Sequence, residues 1–158
     1  MKLLLRANAH RPVDGVVEIA SSPDTPRREP WQWSLRTASP VGVDGNSHTI
    51  SATLDPSGDP GERLALSIDP DRVSGEMSPV DLSSPTVVRR SADELIMLVV
   101  GRGTALLDRA FLLTPLDTMV LAGDDPLEIS VSQASAEPAS LVMVRLRSVD
   151  SDEVSWVP

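Results

Sequence analysis

Polar and apolar positions alternate along this chain in short stretches that turn residues interrupt. Within 141–147, Leu-Val-Met-Val-Arg-Leu-Arg, an extended backbone puts Arg145 and Arg147 on one side and Val142, Val144 and Leu146 on the other. A period of two is the mark of a strand with one buried face. Similar stretches place strands near Lys2–Arg6, Gly15–Ala20, Trp31–Ser39, Ser47–Leu54, Arg63–Ile68, Thr86–Arg90, Glu94–Val100, Thr104–Asp108, Thr118–Leu121, Leu127–Ser132 and Ser140–Ser148. Residues 95–100, Leu-Ile-Met-Leu-Val-Val, are apolar throughout. Their β-branched end runs directly into a glycine, which favours a buried strand over a helix capped by Ser91.

The punctuation is turn chemistry. Val43-Asp44-Gly45-Asn46, Asp55-Pro56-Ser57-Gly58, Asp59-Pro60-Gly61 and Ala122-Gly123-Asp124-Asp125-Pro126 read as turns. Gly101-Arg102-Gly103 lacks the further glycine and the helix of a phosphate-binding loop and is expected to be a hairpin turn. Asp69 to Pro85, with Pro70, Gly75 and Pro79, reads as a long surface connection holding at most a short helical turn. It would separate two pseudo-halves, 1–75 and 76–158, packed as one unit. Short strands at this spacing predict an all-β sandwich or barrel.

Composition narrows the chemistry. Aromatic residues are 3% of the 158, so Leu, Val, Ile, Ala and Met must build the core. A net charge of -9 repels nucleic-acid phosphates and anionic lipid, which excludes both as expected partners. No stretch nears the roughly 20 apolar residues of a membrane span. The opening Met1-Lys2-Leu3-Leu4-Leu5-Arg6 has too short an apolar run for an export signal. The absence of cysteine removes disulfides, thiolate metal sites and cysteine nucleophiles, and fits a reducing cytoplasm.

The candidate residues divide by chemistry. His10 and His48 are the only histidines, and a metal would need both to converge with Glu18 or Glu94. Trp31 and Trp33 are two apart and share a strand face, as core or as the floor of a pocket. Arg36 has the opposite parity to Trp33. Arg89 and Arg90 beside Asp93 and Glu94 form either an anion clamp or a solvated ion-pair cluster. No serine lies in a nucleophile motif, so no catalytic residue is assigned.

Glu94-Leu-Ile-Met-Leu-Val-Val-Gly101-Arg-Gly103-Thr-Ala-Leu-Leu-Asp108 resembles the first cupin motif from its glutamate onward. Leu113-Thr-Pro115-Leu-Asp117-Thr-Met-Val-Leu-Ala-Gly123-Asp-Asp-Pro-Leu127 resembles the second. The resemblance puts the paired metal-binding histidines near Val88 and Arg90 and the last one near Leu127, and none is a histidine here. No metal and no cofactor are therefore expected.

In the first half, Gly15-Val-Val-Glu18-Ile-Ala20, Trp31-Gln-Trp33-Ser-Leu-Arg36-Thr-Ala38 and Val43-Asp44-Gly45 are similar to the HutD/Ves family of small bacterial bicupins. Ser34 stands at the family's arginine position, Arg36 at its serine, and Asn46-Ser47-His48 replaces its Pro-Phe-Ser. The two resemblances cover most of the chain. They imply an all-β, cupin-like double barrel, and a non-enzymatic protein that binds a small carboxylate metabolite in a regulatory role. Trp31, Trp33, Arg36 and His48 would be the contacts. A cupin enzyme (an isomerase or metal-dependent oxygenase) and a protein-interaction module are the alternatives. A homodimer is an open assembly.

Overall fold

The computed structural model describes residues 3–13, 16–22, 33–38, 48–54, 63–150 and 154. Among them the secondary structure is almost wholly β, with one 3-10 turn at Ala7–Ala9. The strands form three sheets, and every pairing is antiparallel. The first sheet runs β2 (Arg11–Val13), β3 (Val16–Ser21), β4 (Trp33–Ala38), β6 (Arg63–Ile68), β5 (His48–Thr53). The central sheet runs β1 (Leu3–Leu5), β12 (Thr118–Leu121), β9 (Glu94–Arg102), β14 (Ser140–Ser148), β7 (Val73–Asp81). The third runs β11 (Phe111–Leu113), β10 (Ala105–Leu107), β13 (Glu128–Gln133), β8 (Thr86–Arg89).

Two cores lie on the two faces of the central sheet. Leu95, Met97 and Val99 of β9 join Val142, Val144 and Leu146 of β14 against Trp33, Leu35, Leu64 and Leu66 of the first sheet. The alternate residues Ile96, Leu98 and Val100, with Leu141, pack against Val88, Leu107, Ile129 and Val131 of the third. A strand buried on both faces has no polar alternation to keep. This is the physical reason for the unbroken apolar run at 95–100, every residue of which is at most 1% exposed.

The connection expected over Asp69 to Pro85 is corrected by the structure. Val73–Asp81 is a nine-residue strand, paired with β14 along its whole length. Its Gly75 and Pro79 look like loop residues, but β7 is an edge strand, where a missing N–H is tolerated. Gly75 also has a packing use, since a Cβ there would lie 2.9 Å from Leu66 and 3.0 Å from Leu146. The boundary drawn between residues 75 and 76 thus falls inside β7. The strands β2 and β11 were not anticipated, being only three residues each.

The hairpin expected at Gly101-Arg102-Gly103 is likewise corrected. β9 belongs to the central sheet and β10 to the third, so the glycines turn a corner between sheets. A Cβ on Gly101 would sit 1.7 Å from the Leu54 carbonyl oxygen. Gly103 adopts a φ of 67°, a conformation that favours glycine. A tight hairpin joins β10 to β11. There Asp108 and Arg109 have φ of 49° and 56°, and the Ala110 N–H donates to the Leu107 carbonyl at 3.0 Å. Two positive φ values in succession make the turn twist with the strands.

Candidate functional site

Of the four residues expected to hold a ligand, the structure describes the side chains of Trp33 and Arg36. Trp31 lies outside the described residues, and of His48 only the backbone is described, opposite Ile68. Trp33 is 0% exposed, part of the core between the first and central sheets. Arg36 is half-buried on the same strand, opposite Glu18 and Ala65. Its spacing of three from Trp33 turns it to the other face of the sheet.

The polar groups converge elsewhere, at the end of the central sheet where β9 begins. Glu94 opens β9 and is 2% exposed. It shares its side of the sheet with Ile96 and Leu98, and so faces the second core at its rim. Burying a carboxylate is costly unless donors satisfy it. Arg145 Nη1 donates to Glu94 Oε2 at 2.8 Å, the Ser91 N–H donates to the same oxygen at 3.0 Å, and Arg147 Nη2 lies 3.2 Å from Oε1. These are the arginines that the alternation of β14 had turned away from the first core. β14 supplies them because Arg147 is in register with Glu94 and Arg145 with Ile96. On the other side of β14, β7 pairs Glu76 with Arg145 and Ser74 with Arg147.

These groups line an open cleft of about 210 Å³, bounded by Ser74, Gly75, Glu76, Glu94, Arg145 and Arg147. Arg145 also donates from Nη2 to the Arg89 carbonyl at 2.8 Å, and its Nε lies 3.7 Å from Glu76. It is therefore well held, with a side chain 21% exposed, whereas that of Arg147 is 53% exposed. A guanidinium carries five N–H donors in a planar fork. Among the described residues, Glu94 is the one ion-pair partner of Arg147.

Next to the cleft, Arg90 has a different use. It is 6% exposed, and its guanidinium donates to the carbonyls of Pro126 at 3.3 Å, Ser91 at 3.1 Å and Glu94 at 3.0 Å, and to those of Gly123 and Asp125. It ties the turn before β9 to the loop before β13. Its neighbour Arg89 pairs with Glu128 at 2.7 Å on the surface. The run Arg89-Arg90 thus splits into one solvated pair and one internal brace.

The residues at the cupin histidine positions have taken other roles. Val88 belongs to the second core, Arg90 is the brace, and Leu127 is 50% exposed. Among the described residues no group of three or more His, Asp or Glu is placed to hold a metal ion. His10 lies at the other end of the molecule, where its Nε2 donates to the Leu116 carbonyl at 2.9 Å. Beside it Asp117 accepts from Arg6 Nη1 at 2.9 Å, the Ala7 N–H at 2.8 Å, and the Thr114 N–H and Oγ1, both at 2.9 Å. Burial pushes its carboxyl up, but together the bonds from Thr114, Ala7 and Arg6 outweigh it and hold the pKa below the ordinary aspartate value.

Sequence reasoning saw Glu94, and saw Arg145 and Arg147 as one face of a strand, but did not join them. The signal was present. Two arginines continue a face whose earlier members, Leu141 and Met143, belong to a core. Cations at the rim of a core need a counter-charge, and Glu94 heads a strand whose first seven residues are buried.

No protein-family model and no curated protein matches the sequence. Solved structures are similar in fold. A conserved protein of unknown function from Pseudomonas aeruginosa PAO1 superposes with a TM-score of 0.67 at 16% identity, over 94% of this chain and 100% of that one. HutD from Pseudomonas fluorescens SBW25 (formate condition) does so with a TM-score of 0.56 at 14% identity, over 94% of this chain and 99% of that one. The HutD-like, all-β cupin-like architecture that the motifs implied is therefore the fold of this chain.

Proposed function

We propose that this protein binds a small carboxylate-bearing metabolite without transforming it, and that the cleft formed by Arg145, Arg147, Glu94 and Glu76 is the binding site. The observation that carries the reading is the state of Arg147. Its guanidinium is fixed at one nitrogen by a buried acid, yet half of its side chain faces solvent. A guanidinium held in this way is preorganised for a bidentate carboxylate, so little side-chain freedom is lost on binding. The cleft volume of about 210 Å³ is below the roughly 300–1,000 Å³ of sites for drug-sized ligands, which favours a metabolite of few atoms. A regulatory use follows from binding without chemistry. Glu94 spends both oxygens on its arginines and the Ser91 amide, which leaves it poorly placed as a general base.

The test is ligand-dependent melting with a panel of small carboxylates. A ligand at a hundredfold excess over its dissociation constant stabilises the native state by about 2.7 kcal/mol, a shift of several degrees. Arg147→Ala should abolish the shift while lowering the unliganded stability by about 1–2 kcal/mol, since Arg145 and the Ser91 amide still satisfy the buried Glu94. Arg36→Ala distinguishes the first-half set of Trp31, Trp33, Arg36 and His48. If Arg36→Ala removes the shift and Arg147→Ala does not, the ligand belongs to that set and the cleft is not the site.

A further inference from the structure

The cleft carries its own charge balance, and that balance selects among carboxylates. Two guanidinium groups, Arg145 and Arg147, face two carboxylates, Glu76 and Glu94, so the four charges cancel. A simple carboxylate entering this set leaves one negative charge uncompensated, in a molecule whose net charge is already -9. A ligand that brings its own cation restores the balance. We infer that the cleft is built for a zwitterion of the α-amino acid class, with the ligand carboxylate on Arg147 and its ammonium on Glu76. This rests on the carboxylate reading above and goes further by assigning a second subsite.

The two acids in the cleft are not equivalent. Glu94 is buried and committed to Arg145, Arg147 and the Ser91 amide. Glu76 is 73% exposed, and its distance of 3.7 Å from Arg145 Nε is beyond a hydrogen bond. It is the acid with capacity for an incoming ammonium. The geometry suits a short zwitterion. Glu76 is in register with Arg145, and Arg147 is two residues further along the same strand, so Glu76 and Arg147 are diagonal neighbours on adjacent strands. Such neighbours are about 7–8 Å apart at the backbone, within the span of groups separated by one carbon and reached by two long side chains.

The experiment compares matched ligands by titration calorimetry on the full chain: L-alanine with propionate and with ethylamine, L-glutamate with glutarate, and L-phenylalanine with 3-phenylpropionate. In at least one set the amino acid should bind tenfold or more tightly than its des-amino partner, and more tightly than the amine where one is tested. Glu76→Gln, a change at an exposed position, should erase that tenfold factor, with the des-amino acid binding as well as or better than it does to the native protein, because one negative charge has left the cleft. If the des-amino acids bind as well as or better than the amino acids in every set, the ammonium subsite is overturned and the carboxylate reading survives. A preference that persists in Glu76→Gln overturns the assignment to Glu76. If no member of either class binds, the carboxylate reading itself falls, and the inference with it.

Discussion

The central sheet ends in a buried carboxylate at both extremes, and the two ends do opposite things with it. At one end Asp117, with a side chain 4% exposed, accepts from two backbone amides, a hydroxyl and Arg6. At the other end Glu94, 2% exposed, accepts from one amide and from Arg145, and forms an ion pair with Arg147. The amides at Asp117 belong to Thr114, three residues before it, and to Ala7, just after β1. That carboxylate therefore fastens the N-terminal strand to β12 and closes its end of the sheet. The donors at Glu94 are long side chains with N–H groups left over, so its end stays open as a cleft. An acid satisfied by backbone is a fastener, whereas an acid satisfied by guanidinium groups also presents them to solvent.

This contrast fails or sharpens under substitution. The largest effect is expected at Arg90, the brace beside the open end. Arg90→Met removes a buried guanidinium and strands carbonyls in the turn before β9 and the loop before β13. Hydrogen bonds to charged groups contribute about 1.5–3 kcal/mol each, and several are lost here, so a destabilisation of at least about 3 kcal/mol is expected in urea unfolding. A loss below about 1 kcal/mol would mean that water replaces the guanidinium and that the open end has no brace.

Asp117→Asn should cost somewhat less, about 2–3 kcal/mol at neutral pH, because the amide keeps one acceptor oxygen. The pH dependence gives a second signature. The folded-state pKa of Asp117 is depressed below its unfolded value. Its contribution is therefore fully present above the ordinary aspartate range of about 3.9 and is lost as pH falls through the folded value. The stability gap between the native protein and Asp117→Asn should thus narrow in acid below about pH 4. A gap that stays constant down to pH 2 would show that the charge on Asp117 is not what fastens the end.

At the open end, Glu94→Gln is expected to destabilise by about 1–2 kcal/mol, the smallest of the three effects. Partly exposed arginines recover hydration when their acid is removed. The same change leaves the cleft with a surplus positive charge. It should improve the binding of simple carboxylates relative to zwitterions, which calorimetry with propionate and L-alanine would report. If Glu94→Gln instead costs as much as Arg90→Met and leaves ligand preference untouched, the cleft is a fastener like its counterpart.

The local periodicity of the sequence determined much of this molecule. Strands such as Arg63–Ile68, Thr118–Leu121 and Ser140–Ser148 have the bounds that alternation and turn residues assigned to them. Each is fixed by which neighbours a residue has two positions away. The motifs around Glu94 also implied the fold that solved structures at 14–16% identity share. Tertiary structure decided what depends on distant partners. Val73–Asp81 is a strand because β14 offers it nine pairing positions, although its own Gly and Pro argue against one. The glycines 101 and 103 turn a corner because their flanking strands found partners in different sheets. The site followed the same rule. Glu94 and its arginines are some fifty residues apart along the chain and meet only through the register of β9 with β14, which no local pattern encodes.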